Sequence, residues 1–120
     1  LNKDLWYFYI MATFQEKSNE TNGGAGIIPP TTTVLTAASK LSIVEDKPIM
    51  LDYWLDSFNK ETPVLIGVKN DDEKLLVKSA EEYTSPISKI YKTGQEYIIV
   101  TENSIYIVSQ DIPTRKISGS

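Results

Sequence analysis

Proton transfer at neutral pH needs a group that titrates there, and this chain has neither histidine nor cysteine. Imidazole bases, thiolate nucleophiles, disulfides and the usual zinc ligands are removed together. Few residues keep chemical potential. Ser39-Lys40 suggests a serine–lysine dyad, but neighbours on an extended strand point to opposite faces, which disfavours it. Asn70, Asp71, Asp72 and Glu73 form an acidic run, with Glu81-Glu82 after it. A hard cation needs roughly six to eight converging oxygens, so a solvated hairpin tip is the preferred reading of the run. Glu81 and Glu82 diverge as neighbours and make no glycosidase pair. Asn19-Glu20-Thr21 is an N-glycosylation sequon ahead of an Asn22-Gly23-Gly24 turn, where an acceptor is exposed. Tyr53, Trp54 and Phe58 offer large contact area at low entropic cost and are candidate partner contacts; the competing reading is that they cover the core.

The elements that must position these residues fit in one domain of 120 residues, 41% apolar and 23% charged. No apolar run approaches the roughly 18 residues of a membrane-spanning helix, and Leu5 to Phe14 is interrupted by Trp6, Tyr7 and Tyr9. That segment does not end like a signal peptide, so a secreted protein would already have lost its leader. A net charge of −4 with a single arginine gives no footprint for a phosphate backbone. No cofactor is implied.

Ile, Val and Thr supply 14, 7 and 11 residues, against 14 for Ala and Leu together, a balance that favours pleated surfaces. The predicted strands are 6–14, 26–28, 33–38, 42–44, 63–68, 74–78, 87–91, 96–101 and 104–109. Turn signals at Asn22-Gly23-Gly24, Pro29-Pro30, Asn70-Asp71-Asp72, Thr93-Gly94 and Glu102-Asn103 separate them. The expected class is all-β, a barrel or sandwich. Residues 49–58 depart from the pattern: Leu51, Trp54, Leu55 and Phe58 recur at helical spacing, giving two turns of helix or a loop with aromatic anchors. From Pro113 onward apolar periodicity is lost, which suits a tail.

Gly24 to Lys40, containing Val34-Leu35-Thr36-Ala37-Ala38-Ser39, resembles the trypsin/chymotrypsin-like serine proteases, in which Val-Leu-Thr-Ala-Ala-His-Cys carries the general base. Ser39 stands where that histidine would be. Gly24 and Lys40 stand at the two positions of the flanking disulfide. A weaker match, Asn103 to Pro113, puts Ser104 at the position of the buried aspartate. Val64 to Val68, Pro86 to Tyr91 and Leu5 to Phe14 are similar to further strands of the family.

The resemblance implies a six-stranded antiparallel barrel over residues 1–112, the N-terminal half of the two-barrel fold, with 113–120 as tail or inter-barrel connector. It also implies a degenerate triad. Loss of the histidine costs on the order of 10⁶ in turnover, so proteolysis is expected to be absent. The acidic run lies near the loop that binds calcium in some members of the family. The implied function is a secreted, non-catalytic homologue that acts by binding, with a second polypeptide carrying the C-terminal barrel. The alternatives are a structural, storage or small-ligand carrier on a protease-derived scaffold, and an unrelated small β-barrel module.

Overall fold

The computed structural model describes residues 28–61 and 63–117. The predicted strand at 6–14, most of 26–28, the Asn19 sequon and Gly24 lie outside the described residues.

The first element corrects the sequence reading. Thr32–Glu45 is an α-helix, α1, where strands were expected at 33–38 and 42–44. The β-branched residues Thr32, Thr33, Val34 and Thr36 favour extended backbone locally, but tertiary packing overrides that preference. Val34, Leu35, Ala38 and Ser42 fall on one stripe at helical spacing and are buried, while Thr36, Lys40, Ile43 and Val44 are exposed. Both ends are specified by the sequence. The Thr31 hydroxyl accepts from the Val34 N–H at 3.2 Å, satisfying a first-turn donor. Asp46 takes a left-handed conformation, φ 55°, and its N–H closes onto the Ser42 carbonyl.

Eight strands follow: β1 (Ile49–Met50), β2 (Leu65–Val68), β3 (Lys74–Ser79), β4 (Glu82–Tyr83), β5 (Ile87–Thr93), β6 (Glu96–Thr101), β7 (Ile105–Ser109) and β8 (Thr114–Lys116). They form two four-stranded mixed sheets, ordered β1-β7-β6-β5 and β4-β3-β2-β8. Each contains one parallel pair, β1 with β7 and β2 with β8, and its other pairs are antiparallel. Among the described residues the chain is therefore mostly β with a helix, and the strands do not close into a six-stranded barrel. The strands predicted around 63–68, 74–78, 87–91, 96–101 and 104–109 are all present, with ends shifted by at most two residues. The stretch after Pro113, read as tail or connector, begins as β8. Its backbone explains why: the Ile66 N–H reaches the Pro113 carbonyl at 2.9 Å and the Ile117 N–H reaches Val68 at 3.0 Å.

Pleating decides the layers. On β6, Ile98 and Val100 face α1, whereas Tyr97 and Ile99 face the second sheet; on β7, Ile105 and Ile107 face α1 and Val108 the second sheet. Both strands are thus buried on both sides, and their near-continuous apolar runs are what such strands require. One core joins α1 to the first sheet through Val34, Leu35, Ala38, Ile98 and Ile107; the other joins the sheets through Val64, Ile66, Leu76, Ile99 and Val108. Each fully buried Ile or Val contributes about 1.5–3 kcal/mol relative to exposure.

A single exposed position separates helix from strand in residues 33–38. Thr36→Ala is expected to raise unfolding stability by about 0.5 kcal/mol, because threonine is the poorer helix former. Denaturant unfolding measures it, and a loss of stability would show that this segment is extended.

Candidate functional site

A concavity lies at one end of the first sheet, beside the start of α1. It is a groove of about 460 Å³ between the segment entering the helix, the β5–β6 turn, the end of β7 and the 3₁₀ turn Leu55–Phe58. Its apolar wall is Ile28, Trp54 and Phe58, and its polar wall includes Gln95, Glu96 and Asp111.

Four local arrangements hold this shape. Glu96 is the helix-facing residue at the start of β6 and is only 6% exposed. One carboxylate oxygen accepts from the Thr31 N–H and the other from the Thr31 hydroxyl, both at 3.0 Å. A carboxylate at a helix N-terminus is favourable because it answers the unpaired N–H groups and the positive end of the helix dipole. Opposite it, the Trp54 indole N–H donates to the Ile28 carbonyl at 2.7 Å, fixing the chain that enters α1. The buried Ser57 hydroxyl donates to the Trp54 carbonyl at 2.6 Å and accepts from the Ser109 N–H at 2.9 Å, which ties the 3₁₀ turn to the end of β7. Gly94, at φ 61°, turns β5 into β6 at the rim, a conformation that favours glycine. The Gln110 N–H holds that turn to β7 through the Gln95 carbonyl at 3.0 Å.

The three aromatic residues nominated from the sequence separate in space. Tyr53 and Trp54 are buried, 3% and 5% exposed, on opposite sides of the first sheet. Two of the three are therefore core residues, and Phe58 is 51% exposed. The Phe58 ring stands edge-on to Trp54, centroids 4.7 Å apart at 85°. The expected two turns of helix shrink to the four-residue 3₁₀ turn, since Ile49–Met50 pairs with β7 instead.

Ser39 and Ser104 lie in different parts of the fold. Ser39 is half-buried in the middle of α1. Ser104 sits in the β6–β7 turn, where its N–H donates to the Thr101 hydroxyl oxygen at 3.1 Å and its carbonyl accepts from Thr101 at 2.9 and 3.0 Å. No hydrogen bond joins the two serines among the described residues. Asn70 to Glu73 forms the β2–β3 hairpin turn: the Glu73 N–H donates to the Asp71 carboxylate at 3.2 Å, and Lys69 pairs with Glu73 at 3.3 Å. No cluster of three or more carboxylates able to hold a metal ion occurs among the described residues. Glu82 lies 3.8 Å from Lys78, and the Glu81 N–H donates to the Ser79 hydroxyl oxygen.

Sequence reasoning missed Glu96, Thr31, Ile28 and Asp111. A signal existed for two of them. Thr31 follows two prolines and precedes an apolar stripe, the pattern of a helix cap, and Glu96 opens a strand that continues Tyr97-Ile98-Ile99-Val100.

No helix of the described residues is long and apolar enough to cross a membrane. The chain matches no protein-family model, no curated protein and no solved structure.

Behind the groove, Tyr53 packs against Tyr106 at 5.2 Å, with the Lys78 ammonium 5.3 Å from its ring centre. Burial, then the neighbouring Tyr106, Glu82 and Asp52, pushes its phenol from 10.0 up to about 12. The unfolded chain releases this proton near pH 10, whereas the folded chain holds it to about 12. Between those values the folded state binds more protons, so stability is lost as pH rises. Tyr53→Phe is expected to flatten the fall of the denaturation midpoint between pH 10 and 12; an unchanged slope would remove Tyr53 as its source.

Proposed function

We propose that this chain acts by binding, without catalysis, and that an extended polypeptide segment docks in the groove beside Phe58. The observation that carries this reading is a large aromatic ring held half in solvent over a buried indole, at the mouth of a groove of ligand size. Ile28, 70% exposed, and Phe58 together give the groove exposed apolar surface beside polar residues, and such surface marks interaction sites. The groove's hydroxyls and carboxylates do not assemble a nucleophile with a base. Ser109 is 3% exposed and its hydroxyl oxygen accepts from the Asp111 N–H, while both Glu96 oxygens are engaged by Thr31.

A second reading keeps the resemblance: a secreted non-catalytic serine protease homologue, glycosylated at Asn19 and held by a second polypeptide that carries the C-terminal barrel. Its support is the residue order Val34 to Lys40, with serines in place of the triad histidine and aspartate. That support is one of sequence alone, because the same residues lie within α1. Mass spectrometry of the native protein tests it, with a co-purifying chain and sugar on Asn19 expected; a single unmodified chain contradicts it.

For the binding reading, the full chain is used to select from a displayed library of peptides of about twelve residues. Selected peptides are expected to lose at least about tenfold in affinity for the Phe58→Ala variant, with the melting temperature unchanged, as for a central aromatic anchor. Peptides that bind both forms equally would place the contact elsewhere and sink this proposal.

A further inference from the structure

We infer that the groove selects a cationic side chain, lysine or arginine, on the docking polypeptide. This rests on the binding reading above and adds the chemistry of the ligand. Two carboxylates, Glu96 and Asp111, line the groove, and no lysine or arginine does. The helix N-terminus at one end would ordinarily attract an anion. Here Glu96 already occupies that position, so the anion-binding capacity of α1 is spent within the chain. A carboxylate offers about four lone-pair directions, and Thr31 takes two of those on Glu96. Asp111 is exposed and forms no ion pair among the described residues; its backbone N–H is tied to Ser109 at 3.1 Å, which fixes its place at the rim.

The apolar wall completes the match. A lysine or arginine stem is aliphatic and packs along apolar surface while its charged head stays near water or a carboxylate. The exposed Phe58 ring adds a π-face that attracts a cation within about 6 Å. An acidic side chain meets two like charges and no lysine or arginine. A purely apolar side chain gains the wall but leaves the Asp111 carboxylate unpaired and partly desolvated.

The peptides selected on the full chain provide the probes. Each is resynthesised with arginine changed to citrulline or lysine to norleucine, preserving length and removing charge. Phe58-dependent binders are expected to contain Lys or Arg, to weaken about two- to fivefold on neutralisation, as for one partly exposed ion pair, and to weaken with added salt. In the Asp111→Asn variant that difference is expected to shrink. Phe58-dependent binders that contain no basic residue, or that tolerate its neutralisation, overturn the cation inference and leave the docking reading standing. Absence of any Phe58-dependent binder overturns both. Phe58-dependent self-association in sedimentation equilibrium seats a second copy in the groove and overturns the inference as well.

Discussion

The carboxylate of Glu96 is the point at which helix, sheet and groove are fixed to one another. Apolar packing of α1 on β6 and β7 is strong but non-directional, and by itself it leaves a helix free to slide or rotate over a row of isoleucines. Two hydrogen bonds that one buried carboxylate accepts from the N–H and hydroxyl of Thr31 remove that freedom. Bonds to an ionised acceptor are the stronger kind. Because Thr31 is also the helix cap, the contact that sets the docking angle also sets where the helix begins.

The groove follows from this anchor and from a second one across the sheet end. Ser57 joins the 3₁₀ turn to β7, and Trp54 joins that turn to the chain entering α1. Phe58 is held out at the rim by buried neighbours and has no cover of its own among the described residues. A rigid frame presenting one exposed ring loses little entropy when a partner covers that ring, which is what a binding surface requires.

How far the sequence revealed this depended on where local and tertiary preferences agreed. In β2, β3, β5, β6 and β7 they agree: β-branched residues sit between Asn-Asp, Thr-Gly and Glu-Asn turns, and the predicted strands form. In residues 32–45 they disagree. Thr32, Thr33 and Val34 pull toward a strand, and the stripe Val34, Leu35, Ala38, Ser42 becomes decisive only once a sheet is available to cover it. The same segment carried the resemblance to a protease strand, and the strands expected there are the helix α1. β1, β4 and β8 were invisible because strands of two or three residues are held by ladder bonds, not by any pattern of their own. Of the candidate site, Trp54 and Phe58 were legible as aromatic residues at helical spacing. The pairing of Glu96 with Thr31 was not, because the two lie 65 residues apart in the chain.

A double-mutant cycle on Thr31 and Glu96 tests this account most directly, using Thr31→Ala, Glu96→Ala and the pair together in equilibrium unfolding. If the carboxylate clamps the start of α1 to the sheet, each single change costs about 1–3 kcal/mol, and the double change costs less than their sum by about 1 kcal/mol. Additive losses would mean that the two residues do not act on each other, and the helix position and the groove built on it would both be contradicted.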